Sequence, residues 1–549
     1  MPDYDDPDQI RAEVEAAADA ERESMPAPKA EPVATPQGVA GTDITEEEIE
    51  AASWLNQVGD AQLLVRLLGG KFAHDNTEDR TFRFNCTHWM PDSNCDFRRE
   101  MFQVADLYGA LGAKYAKLYK ETEDKTHQGA RDRYNGLASK CRSLTRMNSV
   151  WRIATSGSGS LGISGDEWNQ HPTLLPCKNG VIDLETGKLY PGDPRQYFCH
   201  ASPYEYHGLH TEAPLWDDIL DKALCRNRDL LDYFNFFAGF ACTGIQTKNF
   251  FCALGPGGNN GKSVIFDTMG KVLGGFTGLI PVELLLEQKF TKPADGPSPA
   301  VLKLRGLRLA VTSEAQNNHR FSLAKIKQLT GQDALEARGM YGKATIEFAQ
   351  THTLVLHSNY LPTAAGNDIA FYNRLRVLKF GAQFIPADTG DEDPTRNIWH
   401  QIPRNRLNAE LLACGPGILA WYVRCAIRAL KLGDMPAAPA CVMEETADYR
   451  EEQDLIGQWI AQCTEPDPEN KEQMKDIHLS FTKWCVDEMN ITKDRVLSFK
   501  TLAKDFKTRP GMEKVVSRVI SYRGIRIVDA WRESTQNKDE WRDPTQKRF

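Results

Sequence analysis

A glycine-rich loop between an apolar run and a helical pattern constrains this 549-residue chain more than any other feature. Residues 250–254 are apolar and predict a buried strand, and the apolar spacing that begins at Val264 predicts a helix. The loop between them ends in Gly-Lys-Ser at Ser263. Glycines let successive backbone N–H groups face one phosphate, and the lysine adds a fixed positive charge. The segment therefore predicts a phosphate-binding loop for a nucleoside triphosphate.

Within this loop we assign charge neutralisation to Lys262 and Mg²⁺ binding to Ser263. Five residues separate Gly255 from Gly261, one more than usual, so Pro256 stands where another glycine is expected. The predicted nucleotide-binding residues are Gly255, Gly257, Gly258, Asn259, Asn260, Gly261, Lys262 and Ser263. The expected cofactors are ATP and Mg²⁺.

Composition and charge indicate a globular protein with an acidic N-terminus. Apolar residues make up 41% of the chain, and no apolar run approaches the roughly 18 residues that a membrane span needs. Residues 1–50 contain 15 Asp and Glu against three Lys and Arg, a net charge of −12, whereas the whole chain carries −9. The remainder is therefore +3, which is compatible with a nucleic-acid partner. No signal or transit pattern is present, so we expect a cytoplasmic protein without a membrane partner.

The sequence predicts four successive regions. Residues 1–45, rich in Asp, Glu, Ala and Pro, are expected to be a disordered acidic arm. Residues 46–205 show mainly helical periodicity, and in 206–435 strands alternate with helices, which predicts a three-layer α/β core. Helices and then a hairpin in 436–549, with a turn at Tyr522-Arg-Gly, predict a winged-helix-like domain.

Two segments after the loop carry candidate catalytic and DNA-binding groups. A predicted strand at Leu307–Thr312 is followed by Glu314, which we assign as the base that activates the attacking water and as a second Mg²⁺ ligand beside Ser263. Further on, Tyr341 and Lys343 surround a glycine between extended segments. An aromatic ring and a cation at a hairpin tip suit single-stranded nucleic acid.

Polar groups also follow the next predicted strands. Asn359 ends the strand Thr353–His357, where an amide can orient the attacking water or contact the γ-phosphate. Arg374 and Arg376 alternate along an extended segment, and an arginine that reaches a γ-phosphate across a subunit boundary stabilises the transition state.

The order of these motifs resembles the superfamily 3 helicases, and most closely the helicase half of phage and plasmid primase–helicases. The motifs are Gly-Gly-Asn-Asn-Gly-Lys-Ser263, Arg-Leu-Ala-Val-Thr-Ser-Glu314, Lys-Gln-Leu-Thr-Gly-Gln-Asp333, His-Ser-Asn-Tyr-Leu-Pro362 and Ala-Phe-Tyr-Asn-Arg-Leu-Arg376. Residues 179–187 also look like the pattern that closes the poxvirus-type helical domain preceding this helicase.

This resemblance implies an AAA+-like P-loop ATPase that unwinds DNA. It implies that Glu314 is the acidic residue of the second nucleotide motif, Asn359 the polar sensor and Arg374 the arginine finger, with Arg376 as the alternative finger. It also implies a DNA-gripping hairpin with Lys343 at its basic tip. The expected assembly is a hexameric ring on single-stranded and forked DNA.

The resemblance also bears on biological context. It implies a phage or plasmid replication protein, in the bacterial cytoplasm if phage-encoded, with a separate primase or polymerase as a partner. Residues 46–165 look helical, so we expect no primase domain.

An alternative is an origin-binding initiator that uses ATP mainly for assembly. Ten Lys and Arg against three acidic residues between Lys493 and Arg526 make DNA binding plausible under either hypothesis. The full set of hydrolytic residues favours the helicase.

Overall fold

The chain forms two compact units, a large one of Met1–Pro362 and Arg374–Val442 and a small one of Thr363–Asn373 and Met443–Phe549. The computed structural model describes residues 44–255, 257–288, 296–313, 319–340, 345–364, 368–493, 496–507, 509, 511–516 and 519–532.

Six helices around one hydrophobic core begin the large unit. They are α1 (Glu46–Trp54), α2 (Asn56–Leu68), α3 (Phe97–Glu100), α4 (Phe102–Thr122), α5 (Lys125–Cys141) and α6 (Leu144–Ala154). Thr45 caps α1, because its hydroxyl accepts from the Glu48 N–H while the Glu48 carboxylate accepts from the Thr45 N–H. Buried Asp60 ties three helices together by accepting hydrogen bonds from Tyr108 at 2.9 Å and Arg146 at 2.7 Å.

Two small sheets accompany these helices. The strands are β1 (Phe72–Asp75), β2 (Arg80–Phe84), β3 (Trp89–Pro91), β4 (Gly162–Ile163), β5 (Leu174–Cys177), β6 (Gly180–Asp183) and β7 (Leu189–Tyr190). The first sheet has the order β3-β2-β1-β4 and the second β5-β6-β7. This part of the unit is therefore mainly helical, as predicted, with two small sheets.

A five-stranded parallel sheet forms the centre of the large unit. Its strands are β8 (Phe250–Leu254), β9 (Thr277–Leu279), β10 (Leu309–Ser313), β13 (Thr353–Ser358) and β14 (Leu375–Lys379). They lie in the order β14-β8-β13-β10-β9, and every neighbouring pair is parallel. A sheet of this kind is covered on both faces, which explains why β8 consists entirely of apolar residues.

Helices and loops cover both faces of the central sheet. The helices of this region are α7 (Pro214–Ala223), α8 (Arg228–Cys242), α9 (Lys262–Leu273), α10 (Pro299–Leu302), α11 (Leu323–Leu329), α12 (Arg404–Ala413) and α13 (Gly415–Leu432). Successive strand residues point to opposite faces. Accordingly, the Phe251 ring lies 4.6 Å from Phe237 of α8, whereas the Phe250 ring lies 5.7 Å from Phe321 just before α11.

Two strand pairs flank the central sheet. The antiparallel pair is β11 (Leu335–Ala337) with β12 (Ile346–Phe348), and the parallel pair is β15 (Gln383–Ile385) with β16 (Ile398–His400). Among the described residues, no single helix is long and apolar enough to cross a membrane, and only α12 and α13 taken together, across a bend of 64°, pass a test of length and composition.

The small unit has the element order of a winged helix. Its elements are α14 (Ala440–Gln453), which begins at the boundary of the large unit, α15 (Leu455–Cys463), β17 (Thr464–Gln473), α16 (Met474–Asp487), α17 (Phe499–Phe506), β18 (Glu513–Val516) and β19 (Ile520–Ile527). The antiparallel sheet has the order β17-β19-β18. The hydrophobic core of the small unit includes buried Trp459, Trp484 and Phe506.

The turn predicted at Tyr522-Arg-Gly is wrong. Strand β19 runs through these residues without a break, and Val516 of β18 lies opposite Ile520 at the start of β19. Gly524 has a φ of +113°, a conformation that glycine permits, and it lies beside a shift of register in the partner strand. The glycine thus marks an irregularity within the strand. The predicted fold class is confirmed: an α/β chain with a three-layer P-loop core, a mainly helical N-terminal part and a winged-helix-like C-terminal part.

Candidate nucleotide-binding site

The loop between β8 and α9 is built from residues with left-handed backbone conformations. Gly257, Gly258 and Gly261 have φ values of 84°, 73° and 83°, and Asn259 has 51°. Glycine adopts these conformations without strain, and asparagine tolerates them better than most residues. Such a run turns backbone N–H groups toward one anion. Pro256 lies outside the described residues.

Lys262, the first residue of α9, is buried within this loop. Only 4% of its surface is exposed. Its ammonium donates to the Asn260 Oδ1 atom at 2.7 Å, the Gly255 carbonyl at 2.9 Å and the Asn359 Oδ1 atom at 3.1 Å. Burial lowers the pKa of Lys262 to about 8, so the side chain is still mostly protonated at neutral pH.

Sheet register brings Asn359 to the loop. Strands β8 and β13 are parallel neighbours, with Leu254 opposite Ser358, and the Gly255 N–H donates to the Ser358 carbonyl at 3.3 Å. Both strands therefore end at the same edge of the sheet, where the loop and Asn359 follow them. The structure thus brings Asn359, which follows β13, next to Lys262.

Two features of the loop around Lys262 fit an oxyanion: a buried amide donor without a hydrogen-bond partner among the described residues, and open space beside two glycines. Asn260 is 3% exposed, and its Nδ2 atom has no hydrogen-bond partner among the described residues. A buried amide donor of this kind costs free energy unless a ligand accepts its proton. A Cβ atom at Gly257 or Gly258 would meet nothing within 4 Å, so the loop is open there. These features fit a phosphate group.

Little space surrounds Gly255, which lies against the same lysine. A Cβ atom at Gly255 would lie 2.3 Å from the Lys262 ammonium nitrogen and 2.2 Å from Asn260 Nδ2. A side chain at this position would displace the Lys262 ammonium and the Asn260 amide from the places they occupy. Ser263 follows in the first turn of α9 with an exposed side chain, so its hydroxyl is available to hold Mg²⁺.

A cavity of about 490 Å³ adjoins the loop. Asn259 and Gly261 line it from the loop, Lys222 from α7 and Phe384 from β15. The Phe384 N–H donates to the Asn259 carbonyl at 2.8 Å, which joins β15 to the loop. The volume is within the range of small-molecule sites. The sequence did not predict this cavity, because its walls come from distant segments that share no motif.

The two candidate arginines lie at the opposite edge of the sheet. The Arg374 carbonyl accepts a hydrogen bond from the Phe250 N–H at 2.8 Å, so Arg374 stands at the amino end of β8 and β14. The loop begins after Leu254, about 13 Å along the strand at 3.3 Å per residue. Arg376 lies within β14 and donates to the Leu375 carbonyl at 2.7 Å. Neither arginine is brought to the Lys262 loop of its own chain.

Three predicted site residues, Glu314, Tyr341 and Lys343, lie outside the described residues. Their flanking elements are described. Strand β10 ends at Ser313, and its neighbour in the sheet is β13, the strand before Asn359. Strands β11 and β12 form the antiparallel pair on either side of Tyr341 and Lys343.

Comparison with known proteins finds a protein-family model and several putative viral helicases that are similar to this chain. A protein-family model described as "D5 N terminal like" matches residues 61–225. "Putative helicase 022R" of Frog virus 3 (isolate Goorha) is 31% identical over 243 residues, which cover 41% of this chain and 23% of that protein. "Putative helicase L207/L206" of Acanthamoeba polyphaga mimivirus is 23% identical over 323 residues, which cover 57% of this chain and 33% of that protein.

The chain spans between about a quarter and two-fifths of the length of such relatives. "Putative helicase 121R" of Invertebrate iridescent virus 3 is 24% identical, and the match covers 38% of that protein. Among solved structures, an apo form of the NrS-1 C-terminal region is 12% identical, with a TM-score of 0.33 over 59% of this chain and 80% of that one. The relatives and the D5-type match agree with the order of the sequence motifs. The chain is therefore similar to superfamily 3 helicases of the viral and phage primase–helicase type.

Proposed function

We propose that this chain is an ATP-driven replicative DNA helicase that moves along single-stranded DNA as a ring. The observation that carries the proposal is the contact set of Lys262. Its buried ammonium lies within hydrogen-bond distance of both the loop and Asn359. A cation fixed between a phosphate loop and a polar sensor is the arrangement that nucleoside triphosphate hydrolysis uses.

Each described group then has a chemical role. Lys262 offsets the charge of the β- and γ-phosphates, and Asn260 donates its unused amide proton to a phosphate oxygen. Asn359 orients the attacking water or contacts the γ-phosphate. Ser263, together with Glu314 from outside the described residues, would hold Mg²⁺, which would supply positive charge to offset the negative charge that develops on the phosphates. The cavity lined by Phe384 and Lys222 receives the nucleoside.

We assign the remaining roles to residues outside this pocket. Glu314 follows the strand beside β13 and activates the attacking water. Arg374, or alternatively Arg376, acts on the nucleotide of a neighbouring subunit, which is consistent with its place at the far edge of the sheet. Lys343 and Tyr341, between β11 and β12, hold single-stranded DNA.

Strand displacement on a forked DNA substrate with ATP and Mg²⁺ tests the proposal. The wild-type chain should release the displaced strand, and Lys262→Ala should abolish release because nucleotide binding is lost. Lys271→Ala is the matched control, since Lys271 is an exposed lysine at the other end of the same helix. Unwinding by Lys262→Ala at the wild-type rate would contradict the proposal. ATP-dependent assembly on duplex DNA without strand release would favour the initiator hypothesis.

A further inference from the structure

Helix α17 of the small unit and the residue that caps its C-terminus present three exposed lysines on one face: Lys500 and Lys504 within the helix, and Lys507 at the C-cap, where the backbone is still helical. At 100° per residue these positions fall within an arc of about 60°. We call them the lysine face. On the opposite side, Leu502 and Phe506 are fully buried.

The helix is fixed to the sheet beneath it. The Phe506 ring lies 5.4 Å from the ring of Tyr522 in β19, and the Tyr522 hydroxyl donates to the Ala503 carbonyl at 2.9 Å. Ser498 caps the helix by accepting from the Thr501 N–H at 3.3 Å. The lysine face is therefore carried by a packed element of defined orientation within the small unit.

The charge of the lysine face is not offset locally. None of its three lysines forms a salt bridge with a residue that the structure describes. Asp505 is the one acidic residue of α17, and it accepts from Arg509 at 2.6 Å.

The arginines of this unit behave differently, because several of them are paired with carboxylates. The pairs are Arg509 with Asp454 and Asp505, Arg523 with Glu513, Arg526 with Glu465, and Arg532 with Glu472. Pairing of this kind reduces the field of the arginines, whereas the lysine face keeps three unpaired charges side by side.

We propose that the lysine face binds the backbone of duplex DNA. In the element order of the small unit, α17 is the helix that precedes the β18–β19 hairpin. A helix about 10–12 Å wide fits a major groove that is about 12 Å wide. Three lysines along one side then contact phosphates at the groove edge. The site goes beyond the ATPase: it holds the unopened duplex, and it does so without nucleotide.

The side chains of α17 favour binding with little sequence preference. The helix contains no arginine, asparagine or glutamine, so it has no side chain for the bidentate contact to adenine and only lysine for the contact to guanine. Its exposed groups are the three lysines, Thr501 and Phe499. Lysines that contact phosphates position a protein on DNA without specifying a base sequence. An initiator that recognises an origin would need base contacts from other residues.

The test is the binding of full-length protein to a labelled 20-base-pair duplex without nucleotide, measured by fluorescence anisotropy at several salt concentrations. Lys504→Ala/Lys507→Ala removes two charges from the lysine face. We expect it to lower affinity about tenfold and to flatten the slope of log K against log salt by about 1.8, or 0.9 per lost phosphate contact. Lys471→Ala/Lys475→Ala removes two exposed lysines elsewhere in the small unit and should match the wild type.

Three outcomes would overturn the proposal. The two double variants could lose affinity equally, which would indicate a general charge effect. The lysine-face variant could lose as much affinity for a 20-nucleotide single strand as for duplex. The wild type could prefer one duplex sequence by more than tenfold. ATP hydrolysis without DNA should be the same in both double variants, so failure of the ATPase assignment would be recognised separately.

Discussion

The two edges of the central sheet differ in how much of a nucleotide site they hold. At the carboxyl edge, Lys262 lies within hydrogen-bond distance of Gly255 and Asn359. At the amino edge, Arg374 begins β14, about 13 Å along the strand from that site. At the carboxyl edge, groups that follow two different strands thus lie around a single lysine. The other edge holds Arg374 away from that lysine.

Parallel pairing explains this difference. All five strands of the sheet end at the same edge, so residues that follow β8 and β13 meet there although about 100 positions separate them. Arg374 precedes its strand and therefore lies at the opposite edge. Under the proposed function the nucleotide would take its arginine from a second subunit, and head-to-tail contacts of this kind form a ring where the rotation closes.

The largest effect that separates the two edges is expected from Arg374→Ala. We predict that it lowers kcat for ATP hydrolysis about a thousandfold, the smallest effect typical of an arginine finger, with little change in ATP affinity. Lys262→Ala should instead lose ATP binding. Nucleotide binding by titration calorimetry and steady-state hydrolysis measure the two quantities. Arg376→Ala is the companion variant, because Arg376 is the alternative finger.

Mixing distinguishes a neighbour's arginine from a cis arginine. Rings formed from Arg374→Ala and Lys262→Ala subunits contain some interfaces at which both groups are intact. Partial recovery of hydrolysis is therefore expected in the mixture and in neither variant alone. No recovery in rings shown to be mixed would place the arginine and the lysine in one site of one chain.

A smaller effect is expected from Glu314→Gln, at the residue that follows β10 in the sequence. Loss of a general base typically costs about a hundredfold or more in rate. The variant should bind ATP as tightly as the wild type and hydrolyse it slowly. Glu283→Gln, at an exposed glutamate between β9 and α10, is the matched control. Wild-type turnover by Glu314→Gln would remove this residue from the mechanism and leave Asn359 as the group that positions water.

Local sequence signals were sufficient to predict the carboxyl edge. The apolar run of β8, the glycines and the lysine all lie within 14 residues, and β13 was predicted to within one residue of its observed end. Strand, loop and helix are each encoded by a short-range pattern, and parallel pairing then determines which strand ends meet. The strand, loop and helix that carry Lys262 therefore followed from the sequence.

Other features depend on contacts that no short pattern encodes. The cavity beside the loop combines α7 with β15, which lie more than 150 positions apart and share no motif. The predicted turn at Tyr522-Arg-Gly was wrong because a glycine with positive φ also occurs inside an irregular strand. The burial of Lys262, which sets its pKa, is likewise a consequence of packing.

The smallest effect that we expect is a pH dependence of stability that originates at Lys262. Burial lowers its pKa to about 8, against about 10.4 for lysine in an unfolded chain. Between these values the unfolded chain binds more protons than the folded chain, so stability rises as pH increases through about 8. Below pH 7 both states are protonated, and this group makes no contribution to the slope.

Urea unfolding without nucleotide, compared between the wild type and Lys262→Met, isolates this contribution. From pH 7 to pH 9 the wild type should gain about 1 kcal/mol in free energy of unfolding relative to the variant. Lys271→Met, at an exposed site in the same helix, should show no such change relative to the wild type. If the free energy of unfolding of the wild type, measured relative to Lys262→Met, does not rise with pH, then Lys262 is solvated before ATP arrives. Nucleotide binding would then bring the groups of the carboxyl edge together. The two edges of the free protein would differ less than the structure indicates.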